Sequence, residues 1–313
     1  MTSSPLRLGL FGAGRQARGA HVASLKGFRE ARITALAAAP DGTAEALAAE
    51  LGATLCAPEE LAARDDVDAL IVATPPATHA ALVRAAIAAN KPVLCELPLA
   101  TDPREARALF EEAEAAGILH ATTLPRPMLN GGVKVAELIA TLGTLESATL
   151  KIRLPEAAAQ GRGDGYPLLA GMAATCLTTL FGPGTVPAPN RTAHAVRNAR
   201  ASQAAHNATG ANLEVSLDLA LLAPGETPGF TGLEVQATEA TLRWSWSQPG
   251  HIELTRGAQT EDQSITPEAD LGRAFGFTRA FARAILAGTL ATPNFEDAAA
   301  TLELMAALVR AQG

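Results

Sequence analysis

Gly12, Gly14 and Ala17 stand at the spacing G-x-G-x-x-A, directly after the apolar run LRLGLF (6–11) and ahead of an alanine-rich helical pattern. The chemistry this spacing serves is anion binding. Gly12 permits a tight strand-to-helix turn, and Gly14 lets a pyrophosphate approach the backbone. Ala17 keeps helix and strand close, while the helix N-terminus offers unpaired N–H groups. Gly12, Ala13, Gly14, Arg15 and Gln16 are therefore candidate contacts of a dinucleotide, NAD or NADP. The end of the second strand selects between the two. An acid there bonds the ribose 2′-hydroxyl, and an arginine accepts a 2′-phosphate. The stretch reads Ala37-Ala38-Ala39-Pro40-Asp41, so the expected position holds alanine and Asp41 falls two residues late. No arginine follows at once. Asp41 would repel a phosphate, which tilts the reading towards NAD.

The elements that must position this turn are legible in the first ~120 residues. Short aliphatic runs, LRLGLF (6–11), ITALAA (33–38), ALIVAT (69–74), PVLCE (92–96) and ILHATT (118–123), alternate with helical patterns. Near-continuous apolar strands between helices predict a parallel sheet covered on both faces. The segment Asp102-Pro103-Arg104-Glu105 predicts a helix start with an N-cap, a first-position proline and a glutamate closing a capping box. Gly117 predicts its stop. After about residue 124 the pattern changes. The stretch TLPRPMLNGG predicts a loop, and a helix is expected over roughly 131–142. Leu213, Val215, Leu217 and Leu219 alternate, as do Leu242, Trp244 and Trp246, which predicts an antiparallel sheet with one covered face. Leu302, Met305 and Val309 lie at helical spacing near the end. The expected organisation is a Rossmann α/β domain over 1–124 and an α+β domain with an open, mostly antiparallel sheet over 125–313.

Composition narrows the function classes. The net charge is −7 with no basic run, which argues against nucleic acid or an anionic membrane surface, since both need clustered positive charge. No stretch reaches membrane-spanning length, and the N-terminal apolar segment lacks the length and cleavage site of a signal peptide. A cytoplasmic protein is expected. Cys56, Cys95 and Cys176 are widely separated, odd in number and without zinc spacing. They predict small buried thiols and no metal site.

The segments GLFGAGRQARGAH, VDALIVATPPATHAALVRAAIAANKPVLCELPL, TGLEVQATEATLRW and FTRAFARAI together resemble the Gfo/Idh/MocA family of NAD(P)-dependent oxidoreductases. The resemblance implies a Rossmann domain followed by a large open sheet that commonly mediates oligomers, so a homo-oligomer is expected. It also implies that Thr74, Pro75, Pro76 and His79 line the nicotinamide end, with Glu96 near the nicotinamide ribose. For His79 the competing reading is a residue that begins a helix and touches only backbone.

The resemblance breaks where the chemistry should be. Family enzymes acting on sugars or polyols carry Glu-Lys-Pro, whose lysine holds or deprotonates the reacting hydroxyl. Here the triplet is Glu96-Leu97-Pro98. The family's Asp-x-x-x-His-x-x-Asp helix maps to Leu168, Met172 and Thr175, or one residue later to Leu169, Ala173 and Cys176. General acid–base catalysis needs a titratable group within reach of the substrate proton, and both usual groups are replaced. Tyr166, the only tyrosine, follows the loop Gly161–Gly165, which either folds over the cofactor or is solvated. Arg126, Lys151 and Arg153 either bind an acidic substrate or are sheet-surface charges. His120 is expected to be structural, and His194, His206 and His251 to lie on the surface. The implied function is an oxidoreductase acting on a small molecule with non-standard proton handling. The biliverdin-reductase branch of the family, with tyrosine where Leu97 falls, is a precedent. The alternative is a non-catalytic NAD(P)-binding sensor or regulatory protein.

Overall fold

A computed structural model describes residues 4–39, 42–123, 131–155, 166–181, 198–206, 212–227, 229–246, 251–263, 276–291 and 293–310. The strands are β1 (Leu6–Phe11), β2 (Ala31–Ala37), β3 (Thr54–Leu55), β4 (Ala69–Val72), β5 (Val93–Cys95), β6 (His120–Thr122), β7 (Leu145–Pro155), β8 (Asn198–His206), β9 (Asn212–Leu222), β10 (Gly232–Ala237), β11 (Thr241–Ser245), β12 (His251–Arg256) and β13 (Gln259–Asp262). The α-helices are α1 (Thr43–Leu51), α2 (Pro58–Leu61), α3 (His79–Ala88), α4 (Pro103–Ala116), α5 (Gly132–Ile139), α6 (Tyr166–Phe181), α7 (Phe277–Ala287) and α8 (Phe295–Arg310).

Residues 1–124 and 268–299 form one compact unit, and 125–267 with 300–313 form a second. In the first unit six parallel strands run in the order β3-β2-β1-β4-β5-β6. Strand β4 is buried at all four positions and β5 at all three, as strands covered on both faces must be. The order reverses between β1 and β4, which opens the crevice outside the carboxyl ends of these strands.

The expected start and stop of α4 are present in altered form. The Asp102 side chain accepts from the N–H groups of Arg104 and Glu105, and Gly117 caps the end at φ 65°. The capping box does not close, because the Glu105 carboxylate accepts from Arg84 Nη1 at 2.9 Å instead. The guanidinium is the stronger partner, since it brings a full charge.

A single cut after residue 124 misses the return of 268–299 to the first unit. The reason is the amphipathicity of α7. Its Phe281, Ala282 and Ala284 are buried in the cluster that holds Leu8, Leu10, Ile33 and Ile71. On the other side of the helix, Arg279 donates to the carbonyls of Ser24 and Lys26. The start of α8 is fastened to β6 by His120, whose Nδ1 accepts from the Phe295 N–H at 3.2 Å and whose Nε2 donates to Glu114 at 2.8 Å. Its ring stacks on Phe295, so the structural role expected of His120 holds.

The second unit is a seven-stranded sheet in the order β13-β12-β11-β10-β7-β9-β8. Every neighbouring pair is antiparallel except β7–β9. Leu213, Val215, Leu217 and Leu219 are buried along β9, as are Leu242 and Trp244 along β11. Helix α6 packs on β7, β9 and α5. The expected apolar stripe of the last helix needs correction. Leu304 and Leu308 are buried with Leu302, whereas Val309 is 36% exposed.

Candidate functional site

Strand β1 delivers the chain into the glycine turn with its last residue, Phe11, accepting from the Ala73 N–H at 2.9 Å. Gly12 follows at φ 104°, and a Cβ there would lie 2.4 Å from the Ala73 carbonyl oxygen. Only glycine fits, for both conformation and space. Gly14 is different. Its φ is not in the left-handed region, and an added Cβ would meet nothing within 4 Å. The protein itself therefore leaves the room beside Gly14 clear. Gly14, Arg15 and Gln16 are exposed, while Ala13 and Ala17 are buried against the sheet. A helical segment over 15–24 starts here, at the carboxyl end of β1, and a helix start of this kind offers N–H groups to an anion. Its middle, Ala17–Val22, is a π-helix. Arg18 is held by Glu50 at 3.0 Å and by the Thr43 carbonyl at 3.0 Å. Asp41 lies outside the described residues.

The other predicted cofactor residues gather at the ends of β4 and β5. Thr74 is half-buried, and Pro75 and Pro76 are exposed. The Thr78 hydroxyl stands 2.7 Å from that of Thr74 and 2.8 Å from the Pro75 carbonyl. His79 is buried rather than presented to a ligand. Its Nδ1 is 2.8 Å from the Pro98 carbonyl and its Nε2 2.8 Å from the Thr74 carbonyl. Both ring nitrogens thus face backbone acceptors, and His79 is a strut between two loops. The competing reading, a helix-opening residue that touches only backbone, describes this geometry.

Glu96 carries the least expected arrangement. Its Oε1 accepts from His21 Nε2 at 2.9 Å, and its Oε2 accepts from the Thr123 hydroxyl at 3.0 Å. His21 Nδ1 lies 2.9 Å from Thr278 Oγ1. Burial pushes the Glu96 carboxyl up, but the His21 hydrogen bond and charge, with Thr123 and Gln16, outweigh it and hold the group below the usual carboxylate range. His21 was not singled out from the sequence. The signal was available, because His21 follows Ala17 by four residues and shares its buried face, and a histidine placed there needs polar partners.

Residues 6–123 match the model described as "Oxidoreductase family, NAD-binding Rossmann fold" (GFO_IDH_MocA). This segment is similar to the Gfo/Idh/MocA oxidoreductases. It is 36% identical over 106 residues to an inositol 2-dehydrogenase of Rhizobium meliloti strain 1021, a match covering 34% of this chain and 32% of that protein. The matched segment thus spans about a third of that relative's length. The fold extends further than the sequence match. An NAD binding oxidoreductase from Klebsiella pneumoniae superposes with a TM-score of 0.81 at 17% identity, over 99% of this chain and 97% of that one. A biliverdin reductase from Synechocystis sp. PCC 6803, solved with biliverdin and NADP+, gives 0.73 at 19% identity, over 98% and 99%.

The positions expected to carry acid–base chemistry are apolar or engaged. Leu97 stands between Glu96 and Pro98. On α6 the hydroxyls of Thr175 and Thr178 donate back to the Gly171 and Ala174 carbonyls at 2.8 Å each. Burial pushes the Cys176 thiol up to about 12, so it stays protonated at neutral pH. Met172 is half-buried, and Ala173, Ala174 and Leu177 are buried. The side chains of Tyr166, Leu168 and Leu169 lie outside the described residues, as do Arg126 and His194 entirely and the side chain of His206.

Lys151 is paired with Glu234 at 3.0 Å, and Arg153 with Asp218. A ladder continues through Arg243, which reaches Glu234 at 3.2 Å and lies over the Phe230 ring at 4.3 Å. His251 is not a solitary surface histidine, since its Nε2 lies 3.1 Å from Glu253. Lys151 and Arg153 are each paired with a carboxylate on a neighbouring strand. Among the described residues, no cluster of His, Cys, Asp or Glu has a metal-binding arrangement.

Proposed function

We propose that the chain is an NAD(P)-dependent oxidoreductase acting on a small molecule, with the substrate proton handled by water or by the substrate itself. The observation that carries this reading is the clear space beside Gly14, at a helix N-terminus that opens on the β1–β4 crevice. Gly14 stands at the G-x-G-x-x-A position where a pyrophosphate approaches the backbone, and no atom of the protein fills the space beside it. A pyrophosphate fits the chemistry of that place, being anionic and in need of N–H donors.

The chain's own residues do the holding. The glycine turn binds the pyrophosphate through backbone N–H groups, Thr74 and Pro75 edge the nicotinamide side, and Glu96 is held rigid beside them. Bound nicotinamide supplies two-electron hydride chemistry. Leu97 has no proton to exchange, which is why a lysine-based sugar or polyol dehydrogenase is not proposed. The preference is for NAD, because Asp41, in the stretch after the second strand, would repel a 2′-phosphate. The nucleotide domain is residues 1–124 completed by 268–299. A homo-oligomer through the open sheet is proposed from the resemblance to a family in which that sheet commonly mediates oligomers. A monomeric mass in light scattering would overturn it. Free cysteines suit a reducing cytoplasm.

The test has two stages. Titration with NADH and NADPH by fluorescence should give saturable binding, tighter for NADH. Absence of binding to either overturns the reading. Oxidation of the reduced dinucleotide is then followed by loss of its near-ultraviolet absorbance against aldehydes, ketones and unsaturated pyrroles, with polyols assayed in the reverse direction. Tight binding with no turnover across the panel overturns the oxidoreductase reading and leaves a binding protein.

A further inference from the structure

We infer that His21 is a positioning residue for the nicotinamide half of the dinucleotide site, holding the Glu96 carboxylate against the glycine-turn helix. This rests on the dinucleotide reading above. His21 is 1% exposed. It sits in the middle of a line of side chains, Thr278–His21–Glu96–Thr123, with spacings of 2.9, 2.9 and 3.0 Å. The four residues come from α7, the glycine-turn helix, the end of β5 and the end of β6. Sequence separates Thr278 from His21 by 257 positions. The line therefore locks into one body the pieces of the first unit that border the second mononucleotide half of a Rossmann fold.

Two observations converge on the same residue. One is the satisfied state of the ring, both of whose nitrogens have side-chain partners inside the protein. A group so engaged orients its neighbours and is not placed to exchange a proton with a substrate. The other is the π-helix over Ala17–Val22, in which His21 lies. Such turns are rare, because they pack the backbone less well, and they recur where a side chain must be re-aimed at a functional site. Here the wider turn coincides with the ring that reaches Glu96.

Removing the ring leaves a buried carboxylate without its cationic or N–H partner, an arrangement that does not persist. Glu96 then turns outward or takes up a proton. Either change lies at the ends of β4 and β5, and the Gly12–Gly14 cradle for the pyrophosphate is untouched. The effect is thus specific to one half of the ligand.

The experiment titrates NADH and ADP against the wild type and His21→Leu, His21→Gln, Thr278→Val and His21→Leu/Glu96→Gln variants. His21→Leu should weaken NADH about tenfold or more, the worth of one charge-assisted hydrogen bond, with ADP within about twofold. His21→Gln retains an amide donor near the Nε2 position and should recover most of the NADH affinity. The double variant removes the unpaired charge and should recover part of it. Thr278→Val should fall between wild type and His21→Leu. Equal loss of NADH and ADP affinity, or no loss of either, overturns the positioning role. If His21→Leu does not fold, an unchanged NADH affinity in Thr278→Val overturns it instead. A wild type that binds neither NADH nor NADPH overturns the dinucleotide reading itself, so the two failures are told apart.

Discussion

Gly12 and Gly14 are two residues apart and both are glycine, yet their substitution by alanine should have opposite consequences. At Gly12 the backbone sits at φ 104°, and a methyl group would be 2.4 Å from the Ala73 carbonyl oxygen. The conformational penalty is about 1–2 kcal/mol and the displacement of a packed backbone adds roughly 1–3 kcal/mol. Gly12→Ala should lower the melting temperature by roughly 4–20 °C, at about 2–4 °C per kcal/mol. At Gly14 no atom lies within 4 Å of the added methyl, and φ is outside the left-handed range. Gly14→Ala should leave stability unchanged or raise it by about 0.4–1 kcal/mol, through loss of unfolded-chain freedom. That same methyl occupies the space a pyrophosphate needs, and losing one or two N–H contacts to a charged group removes about 1.5–3 kcal/mol. NADH affinity should fall roughly 10- to 150-fold. Thermal melts followed by circular dichroism and NADH titration of the same preparations read both quantities. A Gly14→Ala protein that binds NADH like the wild type would refute the assignment of the pyrophosphate to this place. One that melts as low as Gly12→Ala would refute the claim that the space is clear.

Further outcomes follow from the packing and the titratable groups. Phe281 is 1% exposed in the core of the first unit, so Phe281→Ala should destabilise that unit by about 3–5 kcal/mol. Chemical denaturation monitored by loss of NADH binding checks this, and an unchanged midpoint would show that α7 is dispensable to the nucleotide fold. Glu96 has a folded-state pKa below its ordinary value, so its stabilising contribution is complete above the unfolded value of about 4.3 and is lost as pH falls through the folded value. The melting temperature should therefore drop as pH falls below about 5 more steeply in the wild type than in Glu96→Gln, and parallel curves would refute it. Cys95 and Cys176 are fully buried with thiols pushed up by burial, whereas Cys56 is only half-buried. A chromogenic disulfide reagent at pH 8 should label Cys56 in the native protein and the other two only after denaturation. Native labelling of Cys176 would contradict the packing of α6.

Much of the first unit was legible because its determinants are local. The strand LRLGLF, the G-x-G-x-x-A spacing and the Asp102-Pro103 helix start each act within a few residues, through side-chain period, backbone conformation and capping. The alternation of Leu213 to Leu219 was equally local. Five of the six parallel strands were read this way, and β3 was missed because Thr54–Leu55 is too short to show a period. What escaped were decisions taken between distant segments. Nothing near Phe277 says that α7 packs beside β1, since an amphipathic helix specifies a buried face and not its partner. His79 looks like a ligand contact in the Thr-Pro-Pro context, and only the folded chain brings the Thr74 and Pro98 carbonyls to its two nitrogens. Lys151 and Arg153 were open between substrate binding and pairing until β9 and β10 set Asp218 and Glu234 beside them. His21 became visible as a functional residue only when α7 supplied Thr278 and β5 supplied Glu96. The candidate phosphate position is local information, because it depends on two glycines and a helix start. Which side chains stand ready around it was decided by the tertiary structure, because a hydrogen bond is made by proximity, and proximity across 257 residues is a property of the packed core.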